Sequence, residues 1–354
     1  MFLNAFFNLR WLVFSTAFPI VALAQQIPTP APAPSWPAEV REVTFKSTAD
    51  GSQQPGLFYA PPGVEPVPLL VNLHTWSCNY RSPEPAYALW CLKKGWAFVR
   101  PDFRGANSTP QACGSDLAVQ DIVDAVRYAQ AHANIDPDRI YLVGVSGGGH
   151  AALLLAGRHP EIWAGVSAWC PIEDLTAWHA RHTADGKPDK YARGMEAACG
   201  GPPGTSEAVD QEYRKRSPSA WLAQATGLPL DINAGIRDGH RGSVPVSHSL
   251  NAYNLVAAGK DALSAELISE MTAQPKVRES ERWSGKDPLY QRGEVLFRKI
   301  SDSARVTLFN GAHQIFPEAA LAWLAEQRKG KRAVWEISAR PDSDIIAITS
   351  QSGK

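Results

Sequence analysis

The sequence predicts an α/β domain whose body is a mostly parallel sheet covered by helices. Three observations predict it. Six short apolar runs, at 69–74, 96–100, 140–145, 164–169, 230–234 and 306–309, read as strands, and several are apolar on both faces, as strands of a helix-covered parallel sheet must be. Helical patterns lie between those runs, which is the alternation of an α/β protein. The chain has 354 residues, 44% hydrophobic and 20% charged, which suits one large domain with insertions and excludes a disordered or fibrous chain.

The elements follow in order. Residues 1–24 read as a signal peptide outside the fold. Arg10 precedes an apolar run broken only by Ser15, Thr16 and Pro19, and Ala22-Leu23-Ala24 gives a small-x-small cleavage pattern before Gln25. The run is shorter than the about 20 apolar residues a membrane span needs. Export to the periplasm or beyond is therefore expected, with no transmembrane segment in the mature chain. Residues 25–38, with Pro28, Pro30, Pro32, Pro34 and Pro37, read as an extended tether. The main domain is expected over 39–330. It opens with short strands at 40–47 and 56–60, joined through the turn signal Ala49-Asp50-Gly51.

The six further runs bring the expected sheet to eight strands. Helices are predicted over 117–131, 150–157, 249–258 and 317–328. In the first, Leu117, Ile122, Ala125, Val126 and Ala129 share one face, and Asp121, Asp124 and Arg127 lie on another. Segments of about 172–225 and 260–304 leave the carboxyl ends of the sixth and seventh strands, where open α/β sheets place ligands, and are read as lid insertions. In the tail, 331–354, the stretches 334–337 and 345–348 are either strands or frayed ends.

Charge and cysteine content narrow the partners. Lys+Arg and Asp+Glu both number 35, without a basic stripe, which argues against nucleic acid and anionic membranes. Five cysteines, Cys78, Cys91, Cys113, Cys170 and Cys199, leave at least one thiol unpaired within a monomer. A Cys170–Cys199 bridge would staple the first lid segment, but connectivity cannot be read from spacing. No Cys/His cluster has metal-site spacing, so no metal and no organic cofactor is implied.

The strongest local signal is Gly144-Val145-Ser146-Gly147-Gly148, after an apolar strand and at the start of a helix. This is the context of a nucleophile elbow, where the serine occupies a strained turn and its neighbours must be glycine. A serine hydroxyl needs a base, and the base needs an orienting acid. Asp238 follows the strand at 230–234 and His313 follows the strand at 306–309, in the chain order Ser, acid, His that this elbow requires. Ser146, Asp238 and His313 are therefore the expected catalytic residues. Asp231, inside a strand, and Asp174, in the lid, are the second and third choices for the acid. His150 is expected to pack behind Ser146; His240 and His248 neighbour the acid loop, and His179 and His182 lie in the lid.

An oxyanion hole needs two amide donors. One is expected from Gly147 and the other from Thr75 or Trp76, in the loop after the third strand, with His74 organising that loop. Twelve tryptophans are unusual for this length. Trp178 and Trp283, in the lid segments, are candidate substrate contacts together with His74, set against the commoner role of tryptophan as packing.

Taken together, these residues make the chain resemble the catalytic domain of the prolyl oligopeptidase family within the α/β-hydrolase superfamily. The resemblance rests on His74-Thr75-Trp76, Asp102-Phe103-Arg104-Gly105, the helix around Asp121-Ile122-Val123-Asp124, and Gly144-Val145-Ser146-Gly147-Gly148. Arg216-Ser217-Pro218, the Asp238 loop with Val244-Pro245, and Gly311-Ala312-His313 complete it. It implies that Ser146, Asp238 and His313 are the family triad. Two departures stand out: Thr75-Trp76 replaces the usual pair of glycines, and only the Pro-rich tether precedes the first strand where peptidase members carry a β-propeller.

The expected function is an exported serine hydrolase that cleaves carboxylic esters, carbohydrate-linked or aryl, through an acyl-enzyme. The alternatives are a peptidase acting on short peptides and, less favoured, a binding protein on a hydrolase fold.

Overall fold

Among the described residues, nine strands hydrogen-bond into one sheet, one more than the sequence predicts. They are β1 (Arg41–Lys46), β2 (Gln53–Tyr59), β3 (Val67–Leu73), β4 (Ala97–Pro101), β5 (Ile135–Val145), β6 (Gly165–Trp169), β7 (Leu230–Gly235), β8 (Val295–Ile300) and β9 (Ala304–Phe309). The computed structural model describes Met1 and residues 35–184, 186–290 and 293–337. The expected signal peptide beyond Met1, the tether up to residue 34 and the tail from 338 lie outside them. All the elements belong to one unit, Pro34–Lys354.

The strand order is β1-β2-β4-β3-β5-β6-β7-β9-β8. The six central strands, β4 to β9 in that order, run parallel, and antiparallel strands close both edges. From β3 the chain turns one way to β4 and the other way to β5. The crevice outside the carboxyl ends of β3 and β5 is thus a topological switch point, where open α/β sheets bind ligands.

Helices α1 (Pro85–Lys94), α2 (Asp116–His132), α3 (Gly147–Arg158), α7 (Val246–Val256) and α9 (Pro317–Glu326) cover the sheet. Ser115 caps α2, its hydroxyl accepting from the Ala118 N–H at 3.1 Å. On the polar face of α2, Asp121 and Asp124 are buried, whereas Arg127 is exposed. Asp121 takes the Arg104 guanidinium, which also reaches Ser47 Oγ and the Asp50 carboxylate, and Asp124 holds the Thr48 N–H and hydroxyl. Arg104 thereby ties the first hairpin to α2, so Asp102-Phe103-Arg104-Gly105 is an architectural motif. Phe103, Arg104 and Gly105 all have φ in the left-handed region (34°, 76° and 72°), which turns the guanidinium back toward the hairpin.

The first lid segment folds as α4 (Leu175–Arg181), α5 (Lys190–Cys199) and α6 (Glu207–Arg216). Its apolar faces meet in a small core of their own, built around Trp76, Ile172, Leu175, Trp178, Met195 and Tyr213. The second segment requires a correction. It carries α8 (Ala265–Ala273), but its last residues form β8, an edge strand paired antiparallel with β9, so 260–304 is only partly an insertion. In the tail, 334–337 is not a strand. The Trp335 ring stacks on Trp323 with centroids 5.6 Å apart, and the Trp323 indole donates to Val334 O at 2.9 Å. The stretch 345–348 lies outside the described residues.

Candidate active site

Ser146 sits between the last residue of β5 and the first of α3, with φ 59° and ψ −121°. A non-glycine residue there costs about 1–3 kcal/mol and persists only where its surroundings hold it. Its N–H donates to Trp169 O at 2.8 Å, and its carbonyl accepts the His150 N–H at 2.8 Å. The flanking glycines are required by contact: a Cβ on Gly144 would lie 2.3 Å from Gly148 O, and one on Gly147 would lie 2.4 Å from the Trp76 nitrogen.

That second approach brings the loop after β3 against the elbow. The Trp76 N–H donates to no acceptor among the described residues, whereas Trp76 O takes the Asn107 N–H at 2.9 Å. The Gly147 N–H, at the first position of α3, has no intrahelical partner. Two free amides thus lie side by side next to Ser146. Of the two candidates for the second donor, the structure sets Trp76 rather than Thr75 against Gly147. His74 is fully buried and shapes the loop from behind: its ring stacks on Phe103 at 3.9 Å, with Nδ1 3.0 Å from Thr75 O and Nε2 2.8 Å from Asp102 O. Burial pushes its pKa down to about 4, so the ring is neutral. It makes no wall of the cavity, contrary to its candidacy as a substrate contact.

His313, on the loop after β9, and Asp238, on the loop after β7, meet at 2.7 Å between Nδ1 and Oδ2. The other Asp238 oxygen accepts the Gly239 N–H at 2.9 Å and the Val244 N–H at 3.1 Å. Asp238 is buried, while the His313 side chain keeps 22% of its surface. The acid is therefore fixed by main-chain donors and the imidazole presents an edge to solvent.

Ser146 and His313 line one cavity of about 570 Å³. Thr75, Trp76, Val145, Tyr87, Tyr191 and Ile315 form much of its wall, with Pro83, Pro85 and Pro317. Two charged side chains join them: Glu84, held by the buried Arg100 at 2.6 Å, and Lys190, whose ammonium lies 4.8 Å from the Tyr191 ring centre. The walls from α1 and α5 are absent from the sequence-based prediction. A signal for α1 was available, namely Pro85 at its start and Lys93-Lys94-Gly95 at its end, with Gly95 in the left-handed conformation (φ 66°).

The other candidates fall elsewhere. Trp178 is wholly buried in the lid core, packed on Trp76 at 4.7 Å, with its indole donating to Ser243 O at 2.8 Å. Trp283 packs on the Arg298 guanidinium beside β8 and does not line the cavity. Asp231 forms a buried ion pair with Arg305 on the neighbouring strand, at 2.8 Å. Asp174 caps α4. His150 packs behind the elbow as expected, with Nε2 2.7 Å from Arg216 O and its pKa lowered by burial to about 4. His179, His182 and His248 pair with Glu196, Asp189 and Glu173, and His240 Nε2 lies 3.0 Å from Thr272 O. Cys170 and Cys199 lie in different cores, and all five cysteines are free thiols.

A strand-turn-helix serine at a parallel-sheet switch point, with an acid and a histidine on later loops, defines an α/β hydrolase. Residues 87–253 match the prolyl oligopeptidase family (Peptidase_S9), and the fold of the chain is that of an α/β hydrolase. Among solved structures it is similar to an acylaminoacyl peptidase from Pyrococcus horikoshii, with 17% identity and a TM-score of 0.56 over 84% of this chain and 43% of that one. It is also similar to a puromycin-hydrolysing peptidase from Mycobacterium tuberculosis, with 16% identity and a TM-score of 0.53 over 85% of this chain and 40% of the other. At such identities the likeness is one of fold, and this chain spans less than half the length of either relative. No curated protein matches it.

Proposed function

We propose that the protein is an exported serine hydrolase that transfers the acyl group of a carboxylic ester to Ser146 and then to water. The observation that carries this reading is the convergence on one cavity of Ser146, the Asp238-fixed His313, and the free amides of Trp76 and Gly147. In this mechanism His313 Nε2 takes the Ser146 proton as Oγ attacks the carbonyl carbon. The ester C–O bond breaks as the same proton passes to the leaving alkoxide. A water molecule then repeats the sequence on the acyl-enzyme. Asp238 keeps the Nδ1 proton in place, so that Nε2 remains the acceptor. The oxygen that gains charge in each tetrahedral step is received by the two amides.

An ester is the favoured substrate because the cavity walls are largely proline, aromatic and aliphatic side chains, which suit an acyl chain or an aryl group. The second reading, a peptidase on short peptides, is supported by the peptidases among structures of like fold. Fluorophosphonate labelling followed by peptide mapping tests the nucleophile, and the label is expected on the peptide that carries Ser146. Rates on acetyl, feruloyl and methyl esters, set against chromogenic dipeptides, test the substrate; turnover of dipeptides alone would reverse the assignment. Export is tested by sequencing the amino terminus of the secreted protein, which is expected at Gln25.

A further inference from the structure

Beneath the His313–Asp238 pair lies a thiol that the mechanism above does not use. Cys170 directly follows β6 and has φ 45°, held by its N–H bond to Asn233 O at 2.6 Å. Its Sγ is buried and 3.5 Å from Gln314 O, the carbonyl next to His313. One ligand atom from each of Cys170, Asp238 and His313 lies within 4.8 Å of the other two.

We propose that Cys170, Asp238 and His313 form an inhibitory site for a soft divalent cation, with Zn2+ as its natural representative. Sulfur, imidazole nitrogen and carboxylate oxygen are the donor types Zn2+ prefers, at about 2.3, 2.0 and 2.0–2.2 Å. At tetrahedral angles bonds of those lengths set the ligand atoms about 3.3–3.6 Å apart, so atoms as far apart as 4.8 Å must close by about 1 Å and the 2.7 Å Nδ1–Oδ2 pair must open to admit the ion. His313, on a loop and partly exposed, is the ligand free to adjust. The charges also balance: a thiolate and a carboxylate neutralise the dication, which a buried site requires.

The consequence follows from the protons. Binding releases the Cys170 thiol proton to solvent. It also takes the Nδ1 lone pair of His313, so the proton that Nδ1 carries moves to Nε2. An imidazole metallated at Nδ1 and protonated at Nε2 cannot accept the Ser146 proton. No bond of the substrate is involved and nothing is oxidised or reduced. Inhibition rests on the triad reading, whereas binding does not.

The test separates the two. Cd2+ titrated into the full-length Ser146→Ala protein, which keeps all three ligands, is expected to give a thiolate-to-cadmium absorbance that Cys170→Ser loses. Serine preserves the size of the side chain while removing the soft donor. Zn2+ is expected to inhibit ester turnover by the unmodified protein and to need about a hundredfold higher concentration against Cys170→Ser, each measured against its own metal-free rate. An absent cadmium band, one unchanged in Cys170→Ser, or equal Zn2+ inhibition of both proteins would overturn the site. A band without inhibition would retain the cation site and count against His313 as the base.

Discussion

At the scale of single residues, the roles of the two aspartates on the β7 segment separate cleanly. Asp238 is held by two amides and the imidazole, and Asp231 by Arg305, Ser167 and Asn233. Asp238→Asn is expected to lower kcat by about 10⁴-fold through the wrong imidazole tautomer, with little change in unfolding temperature. Asp231→Asn strips a buried arginine of its counter-charge and should cost about 3–5 kcal/mol of stability, while the folded fraction keeps its turnover. Kinetics and thermal melts on both variants check the pair; the opposite pattern would move the acid to Asp231. Gly242 offers a finer probe. A Cβ there would lie 2.2 Å from Asp238 Oδ1 and 2.7 Å from the His313 Cβ. Gly242→Ala should therefore reduce kcat with KM nearly unchanged, because it displaces Asp238 and His313 without entering the cavity.

At the scale of elements, the lid is a small core before it is a selector of substrates. Trp178→Ala should destabilise by about 3–5 kcal/mol, the cost of emptying a fully buried aromatic site, and lower the melting temperature accordingly. Tyr191→Ala, on the cavity wall, should instead change the ratio of kcat/KM between aryl and alkyl esters with a small effect on the melt. The legibility of the sequence divides along the same line. The central strands were readable because both their faces are apolar, and the elbow because its glycines are fixed by main-chain contacts under 3 Å. The edge strand β8, in the run Val295-Leu296-Phe297-Arg298-Lys299-Ile300, was not: its basic residues resemble a solvated loop, and only pairing with β9 makes it a strand. The burial of Asp121 and Asp124 was not legible for a related reason, since their partners Arg104 and Thr48 lie on other elements. Trp178 and Trp283 sit in lid-forming sequence, and nothing in spacing distinguishes an indole that packs a lid from one that faces a substrate.

At the scale of the whole molecule, two buried histidines give the fold an acid limit. His74 and His150 are both fully enclosed, and burial lowers both pKa values from 6.5 to about 4. In the unfolded chain each binds a proton near pH 6.5, whereas in the fold each resists until about pH 4. Between those values the unfolded state holds more protons, so stability rises with pH; it is fully present above 6.5 and is lost as pH falls toward 4. Each histidine contributes about 3 kcal/mol to that loss, from 1.36 kcal/mol per pKa unit. Melting temperatures measured from pH 7.5 to 4 should decline steeply below 6.5. His150→Gln, which can still donate to Arg216 O, should remove about half of the decline. A melting temperature constant across that window in the unmodified protein would show that these rings are protonated within the fold, with Nδ1 and Nε2 of His74 donating to Thr75 O and Asp102 O together.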